Sequence, residues 1–167
     1  MLNFAIVGCG RIAKRHSDLL GSGTINNARL VSVCDIDSEK SSSIGDKYKL
    51  PIYNCMHEMM KSEEIDVIVV LTESGNHADH VKELSIYKKH IVVEKPMALT
   101  LKSASDMIES CSNNNSKLYV VKQNRFNVPV VKMREAFNQG RFGKINVGTV
   151  RVRWCRPQSY YDLADWR

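Results

Sequence analysis

The feature that most restricts how this chain can fold is the break from a short apolar run into paired glycines at Phe4-Ala5-Ile6-Val7-Gly8-Cys9-Gly10-Arg11-Ile12-Ala13. A strand that ends this way must turn tightly, and only glycine does so without a Cβ between the backbone and whatever approaches it. The helical pattern after Gly10 would aim unpaired N–H groups and the positive end of a helix dipole at an anion. That is why a Gly-x-Gly-x-x-Gly/Ala spacing suits a pyrophosphate. Gly8, Gly10, Arg11 and Ile12 are therefore candidate dinucleotide contacts, with Ala13 the small residue where helix meets strand. A glycine turn can also serve only to reverse the chain.

A second apolar run, Ala28-Arg29-Leu30-Val31-Ser32-Val33-Cys34, ends at Asp35, roughly one βαβ unit beyond the glycines. A carboxylate there can accept both adenosine ribose hydroxyls and would repel a 2′-phosphate, which favours NAD over NADP. The alternative is that Asp35 and Asp37 cap a helix starting near Ser38.

Strand-like and helix-like segments alternate along the rest of the chain. Helices are expected over residues 11–20, 38–47, 56–61, 76–89, 100–111 and 130–138, with Thr100 as a cap and Asn113-Asn114-Asn115 as a stop. Strands are expected at 50–53, 66–72, 90–94 and 118–122. The β-branched run Asp66-Val67-Ile68-Val69-Val70-Leu71-Thr72 reads as a strand buried on both faces. This alternation predicts an α/β fold, a Rossmann-type doubly wound parallel sheet with its ligand at the carboxyl ends of the strands. The further run from Lys144 to Cys155 is expected to be a strand of a second sheet, so residues 1–125 read as a dinucleotide-binding domain and 126–167 as the start of an incomplete α+β substrate domain.

Polar residues gather where these strands should end. Glu94-Lys95-Pro96 places a lysine where it can exchange a proton with a substrate hydroxyl, although a surface lysine before a turn proline is the plainer reading. Thr72, Ser74 and His77 follow one strand, and Gln123, Asn124 and Arg125 follow another, giving a common rim.

Charge is uneven: residues 117–167 hold 11 Lys/Arg against 3 Asp/Glu, whereas residues 1–116 hold 13 against 15. A basic segment of this kind fits an anionic small molecule, nucleic acid, or a surface that normally meets something else. No nucleic-acid-binding motif accompanies it. No apolar run approaches membrane-spanning length, and the first strand begins too early to leave room for a signal peptide, so a cytoplasmic location is expected. Five cysteines without a Cys-x-x-Cys pair look like reduced thiols rather than disulfides or a zinc site, and no metal is expected.

With Gly8-Cys9-Gly10-Arg11-Ile12-Ala13 and His16, Asp35, Thr72 to His77, Glu94-Lys95-Pro96-Met97-Ala98 and Gly140-Arg141-Phe142-Gly143-Lys144-Ile145 in place, the chain resembles the Gfo/Idh/MocA family of nicotinamide-dependent oxidoreductases. The resemblance implies Lys95 as the catalytic residue. It places Gly8, Gly10, Arg11, Ile12, Asp35, Thr72, Ser74, His77, Glu94, Lys95 and Gln123 around NAD, and a further catalytic residue in a sheet-rich domain beyond this chain. The stretches Val121 to Asn127 and Val152 to Asp162, with Asp165-Trp166-Arg167, resemble a branch that oxidises C3 of UDP-N-acetylglucosaminuronic acid for bacterial surface polysaccharides. Some members of that branch regenerate NAD with 2-oxoglutarate. That resemblance makes Lys95, Asn124, Arg125, Arg156, Tyr160, Trp166 and Arg167 substrate contacts, and implies a homo-oligomer in the complete form. Dehydrogenation of an inositol or simple sugar, and cofactor binding without turnover, stay open beside it. Arg151, Arg153 and Arg156 also read as solvated charges on an edge strand.

Overall fold

Side-chain alternation in two strands sets the centre of the fold. Along Leu2–Val7, strand β1, Ala5 and Val7 enter one core cluster and Ile6 the other. In Val67–Val70, strand β4, Ile68 and Val70 join the first cluster and Val69 the second. Both strands are covered on both faces, so neither carries polar residues on alternate positions. They pair in parallel with Val7 opposite Val70. On the far side of β1 lie Ala28–Cys34, β2, and then Ile52–Tyr53, β3. His90–Val93, β5, and Leu118–Val120, β6, extend the sheet past β4. The resulting order is β3-β2-β1-β4-β5-β6, parallel throughout, which is the doubly wound Rossmann arrangement predicted.

The helices divide between the two faces. Arg11–Gly21, α1, buries Ala13, Ser17 and Leu20, and Ser38–Tyr48, α2, adds Ile44 to the same side. Met56–Ser62, α3, His77–Ser85, α4, and Leu101–Asn113, α5, supply Met59, Val81, Leu84, Met107 and Cys111 to the other. Thr100 caps α5 by accepting from the Ser103 amide, as expected. Helix α4 is shorter than the sequence suggests. Lys88, at φ 56°, takes the left-handed conformation, and the amides of Tyr87 and Lys88 turn back onto Leu84 and Ser85.

The computed structural model describes residues 1–162, and the chain divides between Val121 and Lys122 into two units. In the second unit, Gln123–Phe126 forms a turn of 3₁₀ helix and Val128–Asn138 forms α6, with a proline in its first turn. Gly140 at φ 70° receives the end of α6, its amide donating to the Phe137 carbonyl and that of Arg141 to Ala136. A short helix, α7, spans Gln158–Tyr161. The strand expected over Lys144 to Cys155 does not form. Its residues form no regular structure and are exposed, Val147 and Val150 at 83% and 91%. A strand exists only where a second one takes up its amides and carbonyls, and among the described residues no segment pairs with it.

Candidate functional site

Four backbone hydrogen bonds align the carboxyl ends of five neighbouring strands, from β2 to β6. The Gly8 amide donates to Cys34 carbonyl at 2.8 Å, Leu71 to Val7 at 2.8 Å, Glu94 to Val70 at 3.0 Å and Val121 to Val93 at 2.9 Å. The glycine turn, Asp35, Thr72 and Lys95 therefore leave the sheet along one rim, on either side of the point where strand order reverses between β1 and β4.

At that turn the two glycines have different reasons to be there. Gly8 sits at φ +94°, and a Cβ on it would lie 2.6 Å from the Thr72 nitrogen and 2.7 Å from the Leu71 carbonyl carbon. Close passage over β4 thus excludes any side chain. A Cβ on Gly10 would meet nothing within 4 Å. That space lies open beside the N-terminus of α1, where Gly10 offers no side chain to cap the first amides. An uncapped helix start beside open space is the arrangement a pyrophosphate needs, so the residues present fit a dinucleotide. Arg11 and Ile12 are exposed at this end.

Asp35 does not cap α2. Asp37 does, accepting from the amides of Glu39 and Lys40. The Asp35 carboxylate instead accepts from the Cys9 amide at 2.6 Å and the Asp37 amide at 2.9 Å. One acceptor site on each oxygen is thereby used, which fixes the group beside the glycine turn and leaves further lone pairs for ribose hydroxyls. Burial, and then the Asp35 charge, push the Cys9 thiol up to about 12, and burial does the same to Cys34. Both thiols are unsuited to nucleophilic chemistry.

Around Lys95 the sequence is folded onto histidines. Glu94 is buried, one oxygen against His16 Nε2 of α1 at 3.1 Å, the other accepting from the Lys95 amide at 2.8 Å. Pro96 follows a cis peptide, and its carbonyl lies 2.8 Å from His77 Nδ1. His77 is 1% exposed, with Nε2 2.9 Å from the Thr72 carbonyl. The Thr72 hydroxyl meets His80 Nδ1 at 2.9 Å. Ser74 is half-buried in the turn before α4, and the Lys95 side chain is exposed. The ring nitrogens of His77 and both oxygens of Glu94 are thus directed at the protein.

Burial would raise Glu94, but the bonds from His16 and the Lys95 amide outweigh it and hold the carboxyl below its ordinary value of 4.5. Burial also lowers His80 from 6.5. Both groups bind protons more readily in the unfolded chain, so both weaken the fold on acidification. His80 contributes fully above 6.5, and its contribution is lost as pH falls from there through its lowered folded value. Glu94 contributes above 4.5 and loses that in turn. Thermal midpoints are expected to begin falling as pH drops below about 6.5 and to fall further as it drops below about 4.5. A midpoint level down to about pH 5 would remove His80 from this account.

In the second unit, Gln123, Asn124 and Arg125 occupy the exposed 3₁₀ turn. The Arg156 guanidinium lies over the rings of Trp154 and Tyr160, 4.9 and 5.0 Å from their centroids. Trp166 and Arg167 lie outside the described residues. Two members of the first unit's site were not singled out from sequence for these contacts. His16 lies one turn after buried Ala13, and His80 one turn after His77, so helical spacing was the available signal.

A family profile described as "Oxidoreductase family, NAD-binding Rossmann fold" (GFO_IDH_MocA) matches residues 2–122. The WlbA dehydrogenase of Bordetella pertussis, solved in complex with NADH and UDP-GlcNAcA, is 36% identical with a TM-score of 0.92, over 99% of this chain and 50% of that one. Among curated proteins, myo-inositol 2-dehydrogenase of Thermotoga maritima is 26% identical over 93% of this chain and 46% of its own length. The D-glucoside 3-dehydrogenase of Escherichia coli K12 is 28% identical over 92% of this chain and 44% of its own. The chain therefore spans about half the length of the relatives it matches.

Proposed function

Because this chain belongs to the Gfo/Idh/MocA oxidoreductase family and carries its NAD-binding Rossmann fold, we propose that the whole protein oxidises the C3 hydroxyl of a UDP-linked N-acetylated uronic acid. The observation that carries the reading is the exposed Lys95, on the same rim as the glycine turn and Asp35. Bound NAD would accept the hydride from the carbon bearing the hydroxyl. Lys95 takes the hydroxyl proton, while Gly8, Gly10, Arg11 and Ile12 hold the phosphates and Asp35 the ribose. Thr72, Ser74 and Gln123 border the cofactor in this scheme, with Glu94 and His77 acting from behind Lys95. The sugar nucleotide is taken by Asn124, Arg125, Arg156, Tyr160, Trp166 and Arg167, in keeping with the basic charge of residues 117–167. The likeness to WlbA over nearly the whole chain supports this substrate class. A homo-oligomer working in the cytoplasm, with 2-oxoglutarate able to reoxidise NADH, completes the reading.

The similarity to myo-inositol 2-dehydrogenase favours a second reading, oxidation of a cyclitol. NADH formation by the whole protein over a panel of UDP-uronates, inositols and simple glycosides tests both. Turnover confined to inositols would replace the first reading with the second.

Cofactor choice gives a separate expectation. NAD should bind this chain more tightly than NADP, and Asp35→Ala should weaken NAD by about 10- to 100-fold, the loss of one hydrogen bond to a charged acceptor. Calorimetric titration of both dinucleotides measures this. Equal affinity for NADP in the unaltered chain would place the ribose elsewhere.

A further inference from the structure

We infer that His77 is the positioning residue for Lys95, acting through the Pro96 carbonyl; this rests on the reading that Lys95 lies beside bound NAD. His77 is the first residue of α4, buried to 1% exposure, and reaches two carbonyls that belong to different strand ends. Nε2 meets Thr72, just past β4, at 2.9 Å, and Nδ1 meets Pro96, three residues past β5, at 2.8 Å. A backbone carbonyl can only accept, so the bond to Pro96 is made by the tautomer that carries its proton on Nδ1, and the bond to Thr72 by the one that carries it on Nε2. On the other side of the lysine, the Glu94 carboxylate accepts the Lys95 amide and is itself held by His16 of α1. Lys95 is thus fixed at its own amide and at the next residue, while its side chain stays exposed. Pinning the backbone on both sides of Lys95 limits how far its amine can stray, and a misplacement of about 1 Å can cost about 100-fold.

The two bonds can be separated chemically. In asparagine the amide nitrogen falls near the place of Nδ1, and in glutamine near that of Nε2. His77→Asn therefore retains a donor for Pro96, His77→Gln one for Thr72, and His77→Ala neither. The readout is acetylation of Lys95 in this chain by an amine-reactive acetylating reagent, followed by mass spectrometry with and without saturating NAD. Other lysines of the chain serve as internal standards, and NAD affinity is titrated in parallel.

In the unaltered chain, NAD at about a hundred times its Kd should slow Lys95 acetylation at least about tenfold. His77→Ala and His77→Gln should reduce that protection to about twofold, while His77→Asn keeps most of it. Each variant is compared at about a hundred times its own Kd for NAD, so that a loss of protection reports where Lys95 sits and not how much NAD is bound. If all three variants protect Lys95 as well as histidine does, the inference is overturned and His77 is a core residue. The same holds if asparagine behaves like alanine, or if none of the variants folds. Absence of protection in the unaltered chain would instead overturn the placement of Lys95 beside NAD, a different result from the failure of His77 to position it.

Discussion

Gly8→Ala is expected to destabilise the first unit by about 2–5 kcal/mol, combining roughly 1–2 for a side chain in left-handed backbone with roughly 1–3 for overpacking. The backbone is at φ +94°, and the new Cβ would press on the Thr72 nitrogen at 2.6 Å and the Leu71 carbonyl carbon at 2.7 Å. Those are main-chain atoms at the end of the most buried strand, and the Leu71 amide is tied to the Val7 carbonyl at 2.8 Å. They can yield only if β1 and β4 part. Against a total stability of about 5–15 kcal/mol, such a loss brings the domain near unfolding. Gly10→Ala provides the contrast. Its Cβ meets nothing within 4 Å, so urea denaturation should shift by no more than about 0.5 kcal/mol. NAD affinity should nevertheless fall, since the Cβ would occupy space beside the uncapped start of α1. Urea unfolding and calorimetry on both variants separate the two roles. Equal stability of Gly8→Ala and Gly10→Ala would mean that the turn can relax away from β4.

What could be read in the sequence was what local pattern determines. The run Val67 to Leu71 is apolar throughout because both faces are covered, and a strand of that kind announces itself. The glycine spacing placed the turn, and Thr100 announced the start of α5. Where partners are distant, pattern was not enough. Val147, Val150 and Val152 carry strand propensity, yet a strand needs a neighbour, and propensity is silent on whether one is present. His77 read as a rim residue from its position after a strand end, but its contacts reach Pro96, 19 residues away, and His16 reaches Glu94 across 78. Such pairs follow from the order in which β1, β4 and β5 lie side by side, and no spacing rule in the sequence expresses that order. Asp35 was legible as the acid at the end of β2, whereas its bond to the Cys9 amide required the turn to be built.

Lys95→Ala is expected to lower turnover of the whole enzyme by about 10²–10⁴, the usual contribution of a positioned general acid or base. The oxidation proposed here removes a hydride from carbon and a proton from the attached hydroxyl. Without the amine, that proton must pass to water in the same cleft. Because the interaction matters only as the proton moves, kcat and kcat/KM should fall together. NAD affinity should change by at most about twofold, since the glycine turn and Asp35 lie on other strand ends. Lys95→Arg tests charge apart from proton exchange: a guanidinium is always positively charged in a protein, so it can pair with an anion but cannot take up the hydroxyl proton. It should therefore be nearly as defective as alanine. Steady-state kinetics with whichever substrate the panel identifies, together with NAD titration of each variant, decide the matter. If Lys95→Arg retained most of the activity, Lys95 would be a binding cation rather than the proton acceptor. If Lys95→Ala did so, the reacting hydroxyl would be served by another group, and the rim at the end of β5 would belong to cofactor binding alone.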